Sequence, residues 1–171
     1  MLRIDRTILD AIVAHARRDH PDEACGIVAG PAGSDTPTRH IPMDNAARSM
    51  TFYEFDSMEQ LRVWREMDDR DEEPVVIYHS HTSTPAYPSR TDASIAGWPE
   101  SHYLLVSTRD PETTEIRSFR IQNGAVTEEP VEVLNPGVDQ HAVQSYMFGQ
   151  SPTTVDYECY DNGSRSAARV S

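Results

Sequence analysis

Residues 75–78, Val-Val-Ile-Tyr, constrain this chain most. A β-rich run without polar alternation has no face to give to water, so it reads as a central strand covered on both sides. The surrounding elements fit that need. Ile8, Leu9, Ile12, Val13 and Ala16 recur at helical spacing within 5–19, and Pro21 stops that helix. Ala24 to Ala29 reads as a short apolar strand closed by the turn Gly30-Pro31-Ala32-Gly33. Strands are expected near 38–43 and 51–55. Asp56 or Ser57 can cap a second helix, with Glu59 in the capping-box position. Met58, Leu61, Trp64 and Met67 form its expected buried stripe, and the acidic stretch 66–73 reads as a solvated helix end and loop. A short helix from Arg90 and strands at 103–108 and 116–121 follow. Asn123-Gly124 then marks a hairpin into a strand near 125–133. This order predicts a mixed α/β domain over residues 1–135, a sheet with helices on its faces.

Residues 136–171 contain no Leu or Ile and show no clear period. They read as a C-terminal tail, either mobile or docked through Tyr146, Phe148, Tyr157 and Tyr160. The formal charge of −13 argues against nucleic acid as a partner, because phosphate-binding surfaces need clustered cations. All fifteen basic residues are Arg, which excludes Schiff-base and P-loop lysine chemistry. Two cysteines, Cys25 and Cys159, are too few for a disulfide framework. No apolar run reaches membrane-spanning length and no signal-peptide core follows Met1, so a cytoplasmic protein without membrane contact is expected.

The central strand runs directly into His79-Ser80-His81. Residues two apart on a strand share a face, so the two imidazoles can reach one metal ion. Ser89 and Asp92 follow across a loop, 82–88, that Pro85 and Pro88 keep from being helical. Such a loop can fold back to bring Asp92 to the histidines. Two imidazoles and one carboxylate, with a fourth position for water, make a catalytic zinc site. Ser89-x-x-Asp92 alone reads first as a helix capping box. Joined to His-x-His at this spacing, the metal reading outweighs it.

His79-Ser80-His81 … Ser89 … Asp92, with Pro21-Asp22-Glu23-Ala24-Cys25-Gly26 upstream, resembles the JAMM (MPN-plus) metalloprotease family over about residues 1–133. The stretches 14–23 and 78–92 are most similar to its actinobacterial members that release cysteine from the C-terminus of a sulfur carrier. The resemblance implies the MPN/JAMM fold, a cytidine-deaminase-like central mixed sheet flanked by helices. It implies one Zn2+ per chain held by His79, His81 and Asp92. Ser89 would hydrogen-bond the developing oxyanion, and Glu23 would carry the proton from water to the leaving amine. The implied substrate is a ubiquitin-like or sulfur-carrier protein ending in Gly-Gly, of the CysO type. The chemistry agrees, since an amide nitrogen leaves only when protonated and a carboxylate outside the metal shell can deliver that proton.

Three alternatives are weighed against this. One is a broader isopeptidase acting on lysine-linked conjugates, with release of a different amino acid also open. A non-catalytic scaffold is disfavoured because the ligand residues and Glu23 are all present. A nucleoside deaminase needs His-x-Glu and Pro-Cys-x-x-Cys, and neither occurs. Cys25, two after Glu23, is expected to share its face as a packing residue that could line the site. His102 reads as structural, and His15, His20, His40 and His141 lack partners at ligand spacing.

Overall fold

The computed structural model describes residues 1–135, so the expectation for the tail 136–171 lies outside the described residues. The elements run β1 (Leu2–Asp5), α1 (Arg6–Asp19), β2 (Cys25–Pro31), β3 (Arg39–Met43), α2 (Ser57–Asp69), β4 (Glu72–His81), α3 (Arg90–Ile95), β5 (His102–Ser107), β6 (Glu115–Gln122), β7 (Ala125–Glu129) and β8 (Val131–Leu134). Six strands form one sheet in the order β3-β2-β4-β5-β6-β7. Only the β4–β5 pair in it is parallel, joined by the crossover that carries α3. The expected mixed sheet with helices on its faces is therefore observed.

Strand β4 is central, and its parity divides the molecule. Ile77 belongs to a core with α2 residues Val63 and Met67, β5 residues Tyr103 and Leu105, and β6 residues Phe119 and Ile121. Val76 and Tyr78 belong to the opposite core, against Leu9, Ile12 and Ala16 of α1. His79 and His81 share the parity of Ile77, so they emerge on the α2 side at the C-terminal end of β4.

The opposite face holds a buried polar chain. His15 Nε2 lies 2.9 Å from Asp19, so it is the donor, and its Nδ1 accepts from the Tyr78 hydroxyl at 2.7 Å. The Tyr78 oxygen then accepts from His40 Nε2 at 2.8 Å. Burial, with His15 beside it, pushes His40 down to about 4. His15 and His40 thus have hydrogen-bond partners within the protein. The chain also explains Gly26. A Cβ there would lie 2.5 Å from the Tyr78 hydroxyl oxygen and 2.6 Å from the Ile41 carbonyl. Neither neighbour yields easily, because two histidines hold the hydroxyl and the carbonyl belongs to β3. Gly26→Ala is expected to cost about 1–3 kcal/mol, as overpacking does, read as a lowered Tm. An unchanged Tm would show that β2 and β3 separate freely.

Four expectations need correction. Residues 51–55 are not a strand; only an isolated bridge joins Asn45 to Phe55. The Asn45 amide does the work of a ladder there: it accepts from the N–H groups of Ala47 and Glu54 and donates to the carbonyls of Glu23 and Phe52. The stripe of α2 is displaced: Val63 and Met67 are buried, while Met58 is 73% and Leu61 44% exposed. Trp64 is half-buried, against Trp98 and Phe55. The strand expected over 125–133 divides at Pro130, which has no N–H to give a ladder. Its second part, β8, pairs in parallel with β1, an element absent from the sequence reading, which buries Leu2 and Ile4 completely. Finally, the acidic stretch 66–73 already enters β4 at Glu72, where Arg39 binds the carboxylate.

Candidate metal centre

His79 and His81 lie side by side, Nε2 to Nε2 3.2 Å apart. Asp92 comes from the first turn of α3, with Oδ1 3.5 Å from His79 Nε2 and Oδ2 3.4 Å from His81 Nε2. One ligand atom from each residue falls within 4.8 Å of the other two. Among the described residues this is the only such group of three His, Cys, Asp or Glu.

Local structure delivers Asp92 there. The carbonyl of Thr84 accepts from Ser107 Oγ at 2.6 Å, Thr82 Oγ1 donates to the Met50 carbonyl at 2.9 Å, and the His81 carbonyl accepts from Thr108 N–H at 2.9 Å. These bonds fold the 82–88 loop back over the strand ends. Ser89 then caps α3: its Oγ accepts from Asp92 N–H at 3.1 Å and its own N–H donates to Asp92 Oδ2 at 2.6 Å. The capping box and the site are thus one construction. The box uses the Ser89 oxygen as acceptor, and the same exposed side chain also hydrogen-bonds the Asp92 carboxylate.

The donor chemistry fits a cation. His81 Nδ1 lies 2.9 Å from the Pro85 carbonyl, which can only accept, so Nδ1 carries a proton and Nε2 is the ring atom turned to the cluster. It faces His79 Nε2 and a carboxylate. Burial works to raise Asp92, but His79, His81 and Ser89 outweigh it and hold the carboxyl well below the usual range. Such a convergence requires a positive charge at its centre, whether proton or metal. Two imidazoles with one carboxylate suit zinc.

Glu23 sits just before β2. Its residue is 4% exposed, and its backbone is pinned by its N–H to the Ser49 carbonyl and by the Asn45 amide on its own carbonyl. Burial raises its carboxyl to about 7, against the pull of His81 and with the push of Asp92. It stands outside the three-residue cluster yet feels its charges. Ser80, between the two histidines, holds it there: Ser80 Oγ accepts from Ala24 N–H at 2.8 Å, and Ser80 N–H donates to the Ala24 carbonyl at 2.9 Å.

Cys25 packs in the α2-side core opposite His79 in the β2–β4 register, its thiol pushed well up by burial, and is no nucleophile. His102 is fully buried, between Glu129 and Asp35. The sequence reading missed Ser80, Asn45 and Tyr53. Tyr53 stacks on His79, centroids 4.4 Å apart at 24°. Only the position of Ser80 between two candidate ligands could have drawn notice.

The chain matches the family of prokaryotic homologs of the JAB domain over residues 5–122. It is 67% identical to the CysO-cysteine peptidase of Mycobacterium tuberculosis over 134 residues, 78% of this chain and 92% of that protein. It is 36% identical to the desampylase of Haloferax volcanii over 103 residues, 57% of this chain and 74% of that protein. A solution structure from Desulfitobacterium hafniense, 31% identical, superposes with a TM-score of 0.70 over 79% of this chain and 94% of that one. Among the described residues no helix is long and apolar enough to cross a membrane.

Proposed function

This chain belongs to the family of prokaryotic homologues of the JAB domain, and we propose that it is a zinc metallopeptidase cutting the amide bond after the C-terminal glycine of a sulfur carrier. The released group is cysteine, and the carrier is a CysO-type, ubiquitin-like protein ending in Gly-Gly. The observation that carries the reading is the convergence of His79, His81 and Asp92 beside a buried Glu23 whose pKa lies near 7. The 67% identity to a CysO-cysteine peptidase supports the substrate.

His79, His81 and Asp92 would hold one Zn2+ per chain. When bound, zinc supplies Lewis acidity that brings the pKa of water to about 7 and polarises a carbonyl. Glu23 accepts the water proton and returns it to the leaving nitrogen. A carboxyl with pKa near the working pH serves both steps, because it is neither too weak a base nor too weak an acid. Ser89 donates a hydrogen bond from its hydroxyl to the oxyanion.

The 36% identity to a desampylase favours a second reading, a broader isopeptidase acting on lysine-linked conjugates. Incubation with a carrier bearing C-terminal cysteine, and separately with a lysine-linked conjugate, tests both. Loss of one cysteine residue by mass from the first, with the second intact, is the expected result. Cleavage of the second alone would overturn the first reading.

Ser89→Ala should lower kcat by about 10²–10³ with zinc retained, as loss of one oxyanion donor does. It should also cost about 1 kcal/mol of stability, because the cap is lost with the hydroxyl. A stability loss with normal turnover would reduce Ser89 to a cap.

A further inference from the structure

We infer that Tyr53 is the positioning residue for His79, its ring face doing for that imidazole what the Pro85 carbonyl does for His81. The inference rests on the metal reading above. A metal-ligating histidine almost always donates its second ring N–H to an oxygen, which fixes the ring's orientation. His81 does so through Nδ1 to Pro85, with Thr84 Oγ1 at 3.1 Å. His79 does not: its buried Nδ1 has no hydrogen-bond partner among the described residues. What holds the ring is aromatic contact. Tyr53 stacks on one face at 4.4 Å, and His81 meets it edge-on at 5.0 Å. A ligated imidazole gains positive charge, and the negative face of a tyrosine ring favours it there.

Tyr53 lies in an irregular segment, yet it is 8% exposed and locked. Phe55 packs against it at 5.7 Å, and the Asn45 amide binds the segment at Phe52 and Glu54 on either side of it. The same segment accepts the Glu23 N–H at Ser49 and the Thr82 hydroxyl at Met50. One loop thus braces the carboxylate's backbone, the chain leaving His81 and the ring of His79.

The test compares Tyr53→Phe, which keeps the ring, with Tyr53→Leu, which fills space without one. Zinc affinity is measured by competition with a chromophoric chelator, the visible spectrum with cobalt(II), and folding by thermal unfolding of the metal-free protein. Tyr53→Phe should bind zinc within about threefold of the unmodified protein. Tyr53→Leu should bind it about 10–100-fold more weakly, the cost typical of an outer-sphere partner, with an altered cobalt spectrum. Near-normal affinity and an unchanged spectrum in Tyr53→Leu would overturn the inference. If Tyr53→Leu fails to fold, Tyr53→Met is read the same way. Failure of both to fold would assign the ring to the core and equally overturn it. His79→Ala separates this from the metal reading: zinc uptake unaffected by that change would sink the centre itself, whereas loss there with retention in Tyr53→Leu would sink only the role of Tyr53.

Discussion

Alanine at His79, His81 or Asp92 is expected to abolish zinc uptake and peptidase activity together. Each residue gives one of three atoms that converge within 4.8 Å, and no fourth His, Cys, Asp or Glu among the described residues joins the group. Losing one leaves two ligands, so the loss of affinity should far exceed the 10–100-fold typical of outer-sphere changes. The reading has a thermodynamic arm as well. A metal that binds only the folded chain stabilises it by about 2.7 kcal/mol at a concentration 100 times Kd. Chelation should therefore lower the Tm of the unmodified protein and leave that of the three variants unchanged. Asp92→Ala carries an extra, metal-independent cost, because the Asp92 carboxylate also accepts the Ser89 N–H. Asp92→Asn keeps an oxygen for that bond and isolates the metal effect. Full activity in chelated protein would end the mechanism.

The two sides of β4 differ in how readily the sequence disclosed them. Parity alone put His79 and His81 on one face, because strand geometry is local and Val-Val-Ile-Tyr could only be central. Ser89 and Asp92 were legible for a related reason: a capping box spans only four residues, and here it is the device that turns Asp92 toward the histidines. What escaped depends on contacts distant in sequence. Tyr53 meets His79 from 26 residues away, and Asn45 reaches Glu23 across 22. An irregular segment ordered by one amide side chain carries no periodicity to read, so 51–55 passed for a strand on its β-rich composition. The stripe of α2 misled for a different reason. Positions 58, 61 and 64 have helical spacing, but the helix turns Val63 and Met67 toward β4 and its first turn toward solvent. Leu2 and Ile4 were hidden because a two-residue alternation is too short to announce a strand whose partner lies near residue 131.

Glu23→Gln separates proton transfer from the electrostatics of the metal. Gln is nearly isosteric and still hydrogen-bonds water, so zinc should remain at full occupancy and substrate should still bind. It cannot take up the water proton or return it to nitrogen. General acid–base catalysis contributes about 10²–10⁴-fold, so kcat should fall at least about 10²-fold with KM much less affected. The acidic limb of the pH–rate profile, which reports ionisation of Glu23, should vanish with it. Stability supplies an independent check with a defined sign. Burial raises the Glu23 carboxyl from 4.5 to about 7 in the folded, metal-free chain. The folded state then holds its proton more tightly than the unfolded state, so ionisation costs stability. That cost is absent below about pH 4.5, grows as pH rises toward 7 and is complete above it. Metal-free Glu23→Gln should accordingly melt higher than the unmodified protein at pH 8 and no higher at pH 4.5. Loss of zinc in the variant would make Glu23 a ligand and require the centre to be redrawn. Near-normal turnover would mean that another group moves the proton, and an unchanged Tm at pH 8 would place the Glu23 carboxylate in water rather than beside the cluster of His79, His81 and Asp92.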